Sequence, residues 1–228
     1  MAPRPFRRVN FYIDGFNLYH GCFDDLRDRS HWRPYRWLGL DALCQHFCGP
    51  CVMHRIRYFT ARVDPKPANP GNRTRQNFYL RAVATIPHLT VHEGRFATNR
   101  KQRPLADPTA PKPRERHPLA FADVIEREEK GSDVNLASYL LLDAAKGECE
   151  RAVVISNDSD LAEPIRLVQS EFGIEVMIVN PRKYLARDLQ GIATHYANIK
   201  FGMIQRSQFP QTLTDAEGTF TKPAYWAQ

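Results

Sequence analysis

Four aspartates that stand at the ends of predicted secondary-structure elements are the residues of this chain best suited to chemistry. Asp158 and Asp160 follow the apolar run Ala152–Ile155, which is typical of a strand buried on both faces. Asp14 follows another β-rich run, and Asp133 precedes a strongly apolar helix. Like charges gathered at one place destabilise one another unless a cation compensates them. The pattern therefore suggests a site for a divalent cation.

The chemistry of such a site depends on its ligands and on the charge of the protein. The four aspartates offer only carboxylate oxygens, and this donor set favours Mg²⁺ or Mn²⁺. Either cation can activate water and stabilise the transition state of a phosphoryl transfer. The chain has 228 residues and a formal net charge of +7, which favours a polyanionic partner such as nucleic acid. Together these features predict the hydrolysis of phosphodiester bonds.

Each of these aspartates also has an ordinary structural interpretation. Asp14 could cap the helix that follows it, and Asp133 could interact favourably with the dipole of its own helix. That helix, however, leads directly into the strand before Asp158, so its first turn is expected at the carboxyl edge of the sheet. Asn17, one turn into the first helix, is expected close to the same place. The expected meeting of these side chains favours the metal-site interpretation.

Strands alternate with helices along the chain, and this order predicts a three-layer α/β/α sandwich with a mainly parallel central sheet. Residues 1–207 are expected to form one domain, and residues 208–228 a polar tail whose spaced aromatic residues anchor it to the body or to a second subunit. The strands are predicted at residues 9–13, 52–63, 89–96, 119–128, 152–155, 174–179 and 193–199, and the main helices at 37–47, 71–86, 132–144, 161–172, 185–191 and 201–207, with Ser132 as an N-cap.

The segment 97–118 is an insertion of a different kind. It is basic and rich in proline, and no periodic core pattern runs through it, so we expect a long mobile loop. The strand that follows is expected to pair back on residues 89–96 as a hairpin. Such a loop could clamp a phosphate backbone or simply remain solvated. Candidate contacts to the backbone of nucleic acid are Arg73 and Arg75 of the preceding helix and Lys101 and Arg103 of the insertion.

Three cysteines, Cys44, Cys48 and Cys51, imitate the spacing of an iron–sulfur ligand run. The alternative places Cys44 and Cys48 on the inner face of a helix and Cys51 at the opening of the next strand, since free cysteine is usually a small buried hydrophobe. No apolar run reaches transmembrane length, and the N-terminus has no signal-peptide core. A cytoplasmic protein with reduced cysteines is therefore expected.

Three stretches of the chain resemble the motifs of NYN domains, which are members of the PIN-like nuclease superfamily. They are Tyr12–Asn17, Lys130–Ala137 and Ile155–Leu161, in the family's order and on the expected elements. The resemblance extends over about residues 9–180 and implies a PIN-like fold and an Mg²⁺- or Mn²⁺-dependent ribonuclease that acts on RNA. It also implies that Asp14, Asp133 and Asp158 bind the metal, with Asp160 and Asn17 in support. A homodimer is compatible with it.

Two other functions are compatible with the same residues. One is a non-catalytic RNA-binding or regulatory protein that keeps the acidic pocket, since a fold does not guarantee turnover. The other is a phosphatase or nucleotide hydrolase that acts on small molecules. The chain has no glycine-rich phosphate loop and no Asp-x-Asp sequence after its first strand, and both absences count against that second function.

Overall fold

The structure is a computed structural model that describes residues 8–24, 29–65, 69–106 and 116–226. The strands are β1 (Arg8–Asp14), β2 (Val52–Ala61), β3 (Leu89–Ala106), β4 (Arg116–Lys130), β5 (Arg151–Ile155), β6 (Glu175–Asn180), β7 (His195–Asn198), β8 (Thr212–Asp215) and β9 (Gly218–Thr221). The α-helices are α1 (Gly15–Phe23), α2 (Leu40–Cys48), α3 (Asn72–Val83), α4 (Ser132–Ala145), α5 (Ala162–Phe172) and α6 (Phe201–Arg206).

The main sheet has the strand order β4-β3-β2-β1-β5-β6-β7. Its pairs are parallel except for β3 and β4, which are antiparallel. Phe11 and Ile13 of β1 belong to the same buried cluster as apolar residues of α1, α2, α3 and α6, whereas Tyr12 belongs to a second cluster with α4 and α5. This alternation places one helical layer on each face of the sheet. The predicted three-layer sandwich with a mainly parallel sheet is confirmed.

The two central strands determine which residues meet at the carboxyl edge of the sheet. β1 and β5 run parallel, with Ile13 opposite Ile155. The residues that follow this pair, Asp14 and Ser156, therefore lie side by side at the same edge. Both strands are almost completely buried, because they lie in the middle of a sheet that is covered on its two faces.

The basic segment 97–118 differs from its prediction. Instead of forming a loop throughout, it continues β3 as far as Ala106 and resumes as β4 at Arg116, while residues 107–115 lie outside the described ranges. β4 pairs with residues 95–106 rather than with 89–96, because the antiparallel register starts at Ala106 and Arg116 and reaches only Arg95 by the residue where β4 ends, Lys130. The two strands form a hairpin that extends beyond the carboxyl end of β2.

Ion pairs across this hairpin explain why so polar a segment forms strands. The Lys101 ammonium lies 2.6 Å from the Glu126 carboxylate and 2.8 Å from that of Glu128. The Arg103 guanidinium also lies 2.6 Å from Glu126. These pairs are diagonal in the register of the two strands, and opposite charges within reach of each other across antiparallel strands stabilise the pairing. A search for apolar periodicity does not detect this kind of support.

Two smaller predictions also need correction. Gly131, not Ser132, is the N-cap of α4, and its φ of 103° lies in the left-handed region that favours glycine. Ser132 is the first residue of the helix, and its side chain makes no capping hydrogen bond. The predicted helix at 185–191 is only a 3₁₀ turn at Arg187–Leu189, since the residues on either side of it have extended ψ angles.

The predicted tail is packed against the body of the protein. Its strands β8 and β9 form a small antiparallel hairpin. Phe209, Phe220 and Trp226 are buried in the same cluster as Trp37, and the Trp37 indole N–H donates to the Pro210 carbonyl at 3.0 Å. These three aromatic residues of the tail are thus part of the core on the α1–α3 side of the sheet, whereas Tyr225 is 40% exposed.

The cysteines lie where the core interpretation places them. Cys44 and Cys48 are buried on the inner side of α2, and Cys51 immediately precedes β2. Burial raises the pKa of the Cys44 thiol well above its ordinary value. In the part of the chain that the structure describes, no helix is long and apolar enough to cross a membrane.

Candidate metal centre

Three carboxylates meet at the carboxyl edge of the sheet. Asp14 ends β1, Asp133 lies in the first turn of α4, and Asp158 follows β5 and caps the 3₁₀ turn Ser159–Leu161. One oxygen atom of each side chain lies within 4.8 Å of the corresponding atoms of the other two. The structure therefore brings together three of the four aspartates singled out from the sequence.

Asp14 is held rigidly, and it combines its two predicted roles. One carboxylate oxygen accepts the backbone N–H of Asn17 at 2.9 Å, which caps α1, and the other accepts the Ser156 hydroxyl at 2.9 Å. The side chain is only 3% exposed. Burial raises the pKa of Asp14, these hydrogen bonds oppose the rise, and the charge of Asp158 adds to it. Capping a helix does not prevent the same carboxylate from facing a cation.

Asp133 has the most unfavourable surroundings for a negative charge. Its pKa is raised to about 7, first by partial burial and then by the neighbouring negative charges, of which those of Asp14 and Asp158 act most strongly. Its side chain accepts no hydrogen bond from any residue that the structure describes. Such a carboxylate is costly to ionise on its own, and an added cation would remove that cost.

Asp158 and Asp14 are linked through Ser156, a residue that the sequence did not single out. The Ser156 hydroxyl donates to Asp14 and accepts the backbone N–H of Asp158 at 3.1 Å. One oxygen of Asp158 accepts the backbone N–H of Asp160 at 3.0 Å. These bonds fix the turn after β5 and orient the Asp158 carboxylate beside that of Asp14.

The two supporting residues predicted from the sequence occupy different positions. Asn17 lies in the site, and its side-chain oxygen accepts the Asn157 backbone N–H at 3.2 Å and the Arg182 Nε–H at 3.4 Å. It therefore ties α1 to the turn after β5. Asp160 is exposed and lies outside the group of three carboxylates, although its charge contributes to the raised pKa of Asp133.

The carboxylates open into a cavity of about 140 Å³, here called the acidic cleft. Four of its residues were not predicted from the sequence: Phe16 and His20 on α1, Glu129 at the end of β4, and Arg182 after β6. The rule that chemistry collects at strand ends could have indicated Arg182. No such rule applied to Glu129, because it depends on the hairpin returning to this edge. The acidic cleft is lined by Asp14, Phe16, Asn17, His20, Glu129, Asp133, Asp158 and Arg182.

The residues present fit a divalent cation. Three carboxylate oxygens converge, their charges oppose one another, and none of the three side chains forms an ion pair with a lysine or arginine that the structure describes. Oxygen donors alone are typical of Mg²⁺ and Mn²⁺ sites, whereas zinc sites commonly include histidine or cysteine.

The four predicted contacts to nucleic acid lie on two elements, the β3–β4 hairpin and α3. Lys101 and Arg103 are engaged in ion pairs within the β3–β4 hairpin. Arg73 is exposed on α3. Arg75, also on α3, lines a larger cavity and contacts Asn69. The structure does not gather these four side chains into one patch around the carboxylates.

The larger cavity, here called the aromatic cavity, has a volume of about 560 Å³. It adjoins the acidic cleft, since Phe16, His20 and Glu129 line both. Its walls come from α1, the end of β2, α3, the β3–β4 hairpin and the C-terminal segment. Its aromatic lining residues are Phe16, Tyr19, Phe23, Tyr58, Tyr79, Phe96, Tyr225 and Trp226.

Comparison with known proteins agrees with this architecture. Residues 8–200 match the family model described as the NYN domain. A curated relative, 6-hydroxy-3-succinoylpyridine 3-monooxygenase HspA of Pseudomonas putida, is 27% identical over 96% of this chain and 75% of that protein. A crystal structure of a protein of unknown function from Vibrio parahaemolyticus aligns with a TM-score of 0.54 and 13% identity, covering 88% of this chain and 97% of that one. This last likeness shows the fold alone.

Proposed function

This chain belongs to the NYN domain family, which places it in the PIN-like nuclease superfamily, and from this premise we propose that it is a metal-dependent endoribonuclease. Its substrate is RNA, and its reaction is the hydrolysis of a phosphodiester bond. The observation that carries the proposal is the group of three carboxylates whose oxygens lie within 4.8 Å of one another. No lysine or arginine in the described structure forms an ion pair with them, and a divalent cation would neutralise their charge.

Asp14, Asp133 and Asp158 are the residues that would hold Mg²⁺ or Mn²⁺. When bound, the cation supplies a Lewis acid and lowers the pKa of a bound water. The remaining roles belong to side chains around the carboxylates. Arg182 offers a positive charge at the rim of the acidic cleft for a phosphate oxygen, and Asn17 holds Arg182 and the turn after β5 in place. Asp160 supports the site through its backbone N–H and its charge.

A cleavage assay tests the proposal directly. Purified protein is incubated with labelled single-stranded and hairpin RNA in Mn²⁺, in Mg²⁺ and in EDTA. We expect cleavage only with a divalent cation. In Asp14→Asn and Asp158→Asn the rate should fall by about 10²-fold or more, since metal-ion catalysis supplies several kcal/mol. Asp188→Asn is the matched control, because Asp188 is exposed and does not line the acidic cleft.

The same assay separates this function from its non-catalytic alternative. A regulatory RNA-binding protein would bind RNA with a steep salt dependence and cleave none of it in any metal. Cleavage by the two cluster variants at the wild-type rate would remove the carboxylates from the mechanism. The predicted contacts of Arg73, Arg75, Lys101 and Arg103 with the RNA backbone, the cytoplasmic location and the homodimer remain predictions.

A second candidate function is the oxygenation of a small heteroaromatic compound, the class of reaction that the name of the Pseudomonas relative states. The aromatic cavity favours it, since about 560 Å³ is ample for such a substrate. In this reaction one atom of O₂ enters the substrate, and two electrons from an added reductant reduce the other atom to water. The all-carboxylate cluster counts against it, because non-haem iron oxygenases use two histidines and one carboxylate.

Oxygen consumption distinguishes this second candidate from the first. The protein is mixed with a hydroxypyridine carboxylic acid and NADH, and O₂ uptake and hydroxylated product are measured. Substrate-dependent uptake without any cleavage of RNA would favour the oxygenase. Metal-dependent cleavage of RNA without such uptake would favour the ribonuclease.

A further inference from the structure

The aromatic cavity is larger than the cleavage chemistry itself requires, and its walls carry polar atoms without partners. Trp226 is 8% exposed, and its indole N–H is buried without a hydrogen-bond partner among the residues that the structure describes. The Arg36 Nε–H is also buried and donates no hydrogen bond to a described residue. Both residues line the cavity. Buried donors are nearly always paired in folded proteins, so these two atoms leave the wall of the cavity incompletely hydrogen-bonded.

The charges around the cavity suggest what kind of ligand this is. Arg36, Arg75 and Arg127 line it, and none of them forms an ion pair with a carboxylate that the structure describes. Asp64 lines it as well, and its carboxylate accepts no hydrogen bond from any described residue. A purely apolar ligand would leave these groups unused. A ligand with an aromatic ring, a negative charge and hydrogen-bond donors would engage them all.

The position of the cavity beside the acidic cleft indicates which ligand of this kind it binds. It shares Phe16, His20 and Glu129 with the acidic cleft, so a chain that crosses the carboxylates can send its next unit into the cavity. Proteins that recognise single-stranded RNA turn bases out of the stack and pack them on aromatic side chains. A nucleotide has a planar base, a phosphate and a sugar with hydroxyl groups, and these match the aromatic wall, the arginines and Asp64.

We propose that the aromatic cavity binds one nucleotide of the RNA, turned out of the stack and adjacent to the phosphodiester bond at the acidic cleft. The base packs against the aromatic wall, in which Tyr225 is 40% exposed. The phosphate interacts with the arginines. This inference deepens the proposed ribonuclease function and rests on it, since that function supplies the RNA.

Binding of single nucleotides in EDTA tests the inference apart from cleavage. Each of the four nucleoside 5′-monophosphates is titrated into the metal-free protein by calorimetry. We expect at least one to bind, and Tyr225→Ala to weaken its binding by about 5- to 150-fold, the range for loss of one base–aromatic stack. Phe172→Ala is the matched control, because Phe172 is 41% exposed against 40% for Tyr225 and lies outside the cavity.

The outcomes separate failure of this inference from failure of the proposed function. If a nucleotide binds in EDTA and Tyr225→Ala weakens its binding, the aromatic cavity is a nucleotide site even where no RNA is cleaved, and only the ribonuclease proposal fails. If RNA is cleaved but no nucleotide binds, and Tyr225→Ala cleaves like wild type, the inference is wrong. Binding of nicotinate, a small heteroaromatic acid, in place of all four nucleotides would also overturn it.

Discussion

Asp133 and Asp143 belong to the same helix, α4, and differ in almost everything that determines their charge. Asp143 is 1% exposed and accepts two hydrogen bonds of 2.7 Å from the Arg57 guanidinium and one of 2.9 Å from the Tyr12 hydroxyl. Burial alone would raise the pKa of Asp143, but these bonds outweigh it and hold the pKa below its ordinary value. Asp133 faces other carboxylates, and its pKa is raised to about 7.

This difference shows that burial alone does not identify a functional carboxylate. Asp143 ties α4 to β1 and β2 through cations and hydroxyls of the protein itself, which leaves nothing for a ligand to add. Asp133, at the other end of the helix, has no ion-pair or hydrogen-bond partner for its side chain in the described part of the chain. A carboxylate in an ion pair supports the fold, whereas a group of carboxylates without ion pairs favours the binding of a cation.

Replacing Asp143 should cost the most stability. In Asp143→Leu the Arg57 charge remains buried without its partner, and we expect the free energy of unfolding to fall by about 3–5 kcal/mol. Urea denaturation measures this loss. The double variant Arg57→Met/Asp143→Leu should recover much of it, because it removes both charges together. A loss under about 1 kcal/mol in the single variant would mean that the pair does not support the fold.

Adding a divalent cation should stabilise the wild-type protein by a smaller amount. At 100 times the dissociation constant, binding to the folded state alone contributes about 2.7 kcal/mol, or about 5–10 °C in melting temperature for a chain of this size. Thermal melts in EDTA, Mg²⁺ and Mn²⁺ measure the shift. Asp158→Asn should lose most of it, and Asp188→Asn should keep it. A wild-type melting temperature that ignores both metals contradicts a metal centre here.

Asp133 should make the metal-free protein less stable as the pH rises. Its pKa is near 3.8 in the unfolded chain and about 7 in the folded one. Between these values the folded state keeps a proton that the unfolded state has lost, so this group's contribution to stability falls as the pH rises from about 4 to 7. In EDTA, Asp133→Asn should therefore melt above wild type at pH 8, and the two should converge near pH 4. If Asp133→Asn melts below wild type at pH 8, the charge of Asp133 is not repelled by the neighbouring carboxylates as we infer.

The exposed ion pairs of the hairpin should matter least. Lys101 is 35% exposed, so Lys101→Ala should lower the free energy of unfolding by no more than about 1 kcal/mol. If Lys101 also contacts an RNA phosphate, the variant should reduce the slope of log affinity against log salt by about one. Lys146→Ala, at the far end of α4, is the control. An unchanged slope would withdraw Lys101 from the predicted contacts.

Much of the site could be predicted from strand ends alone. Asp14 and Asp158 follow apolar runs that must be central strands, and parallel strands bring their carboxyl ends to one edge. Glu129 could not be predicted in this way, because it reaches the edge only where β4 returns along β3. The same limit hid the strands in the basic segment, whose support comes from pairs such as Lys101 with Glu126 rather than from apolar alternation.

The sequence by itself determined the α/β order, the central strands and the three aspartates, because periodicity and turn signals act over a few residues. Only the tertiary structure determined the aromatic cavity that adjoins those aspartates. Trp226 and Arg36 are far apart in the chain, yet they line one cavity with residues of α1 and α3. Such a cavity depends on how distant segments pack, and no local pattern of residue types encodes its shape.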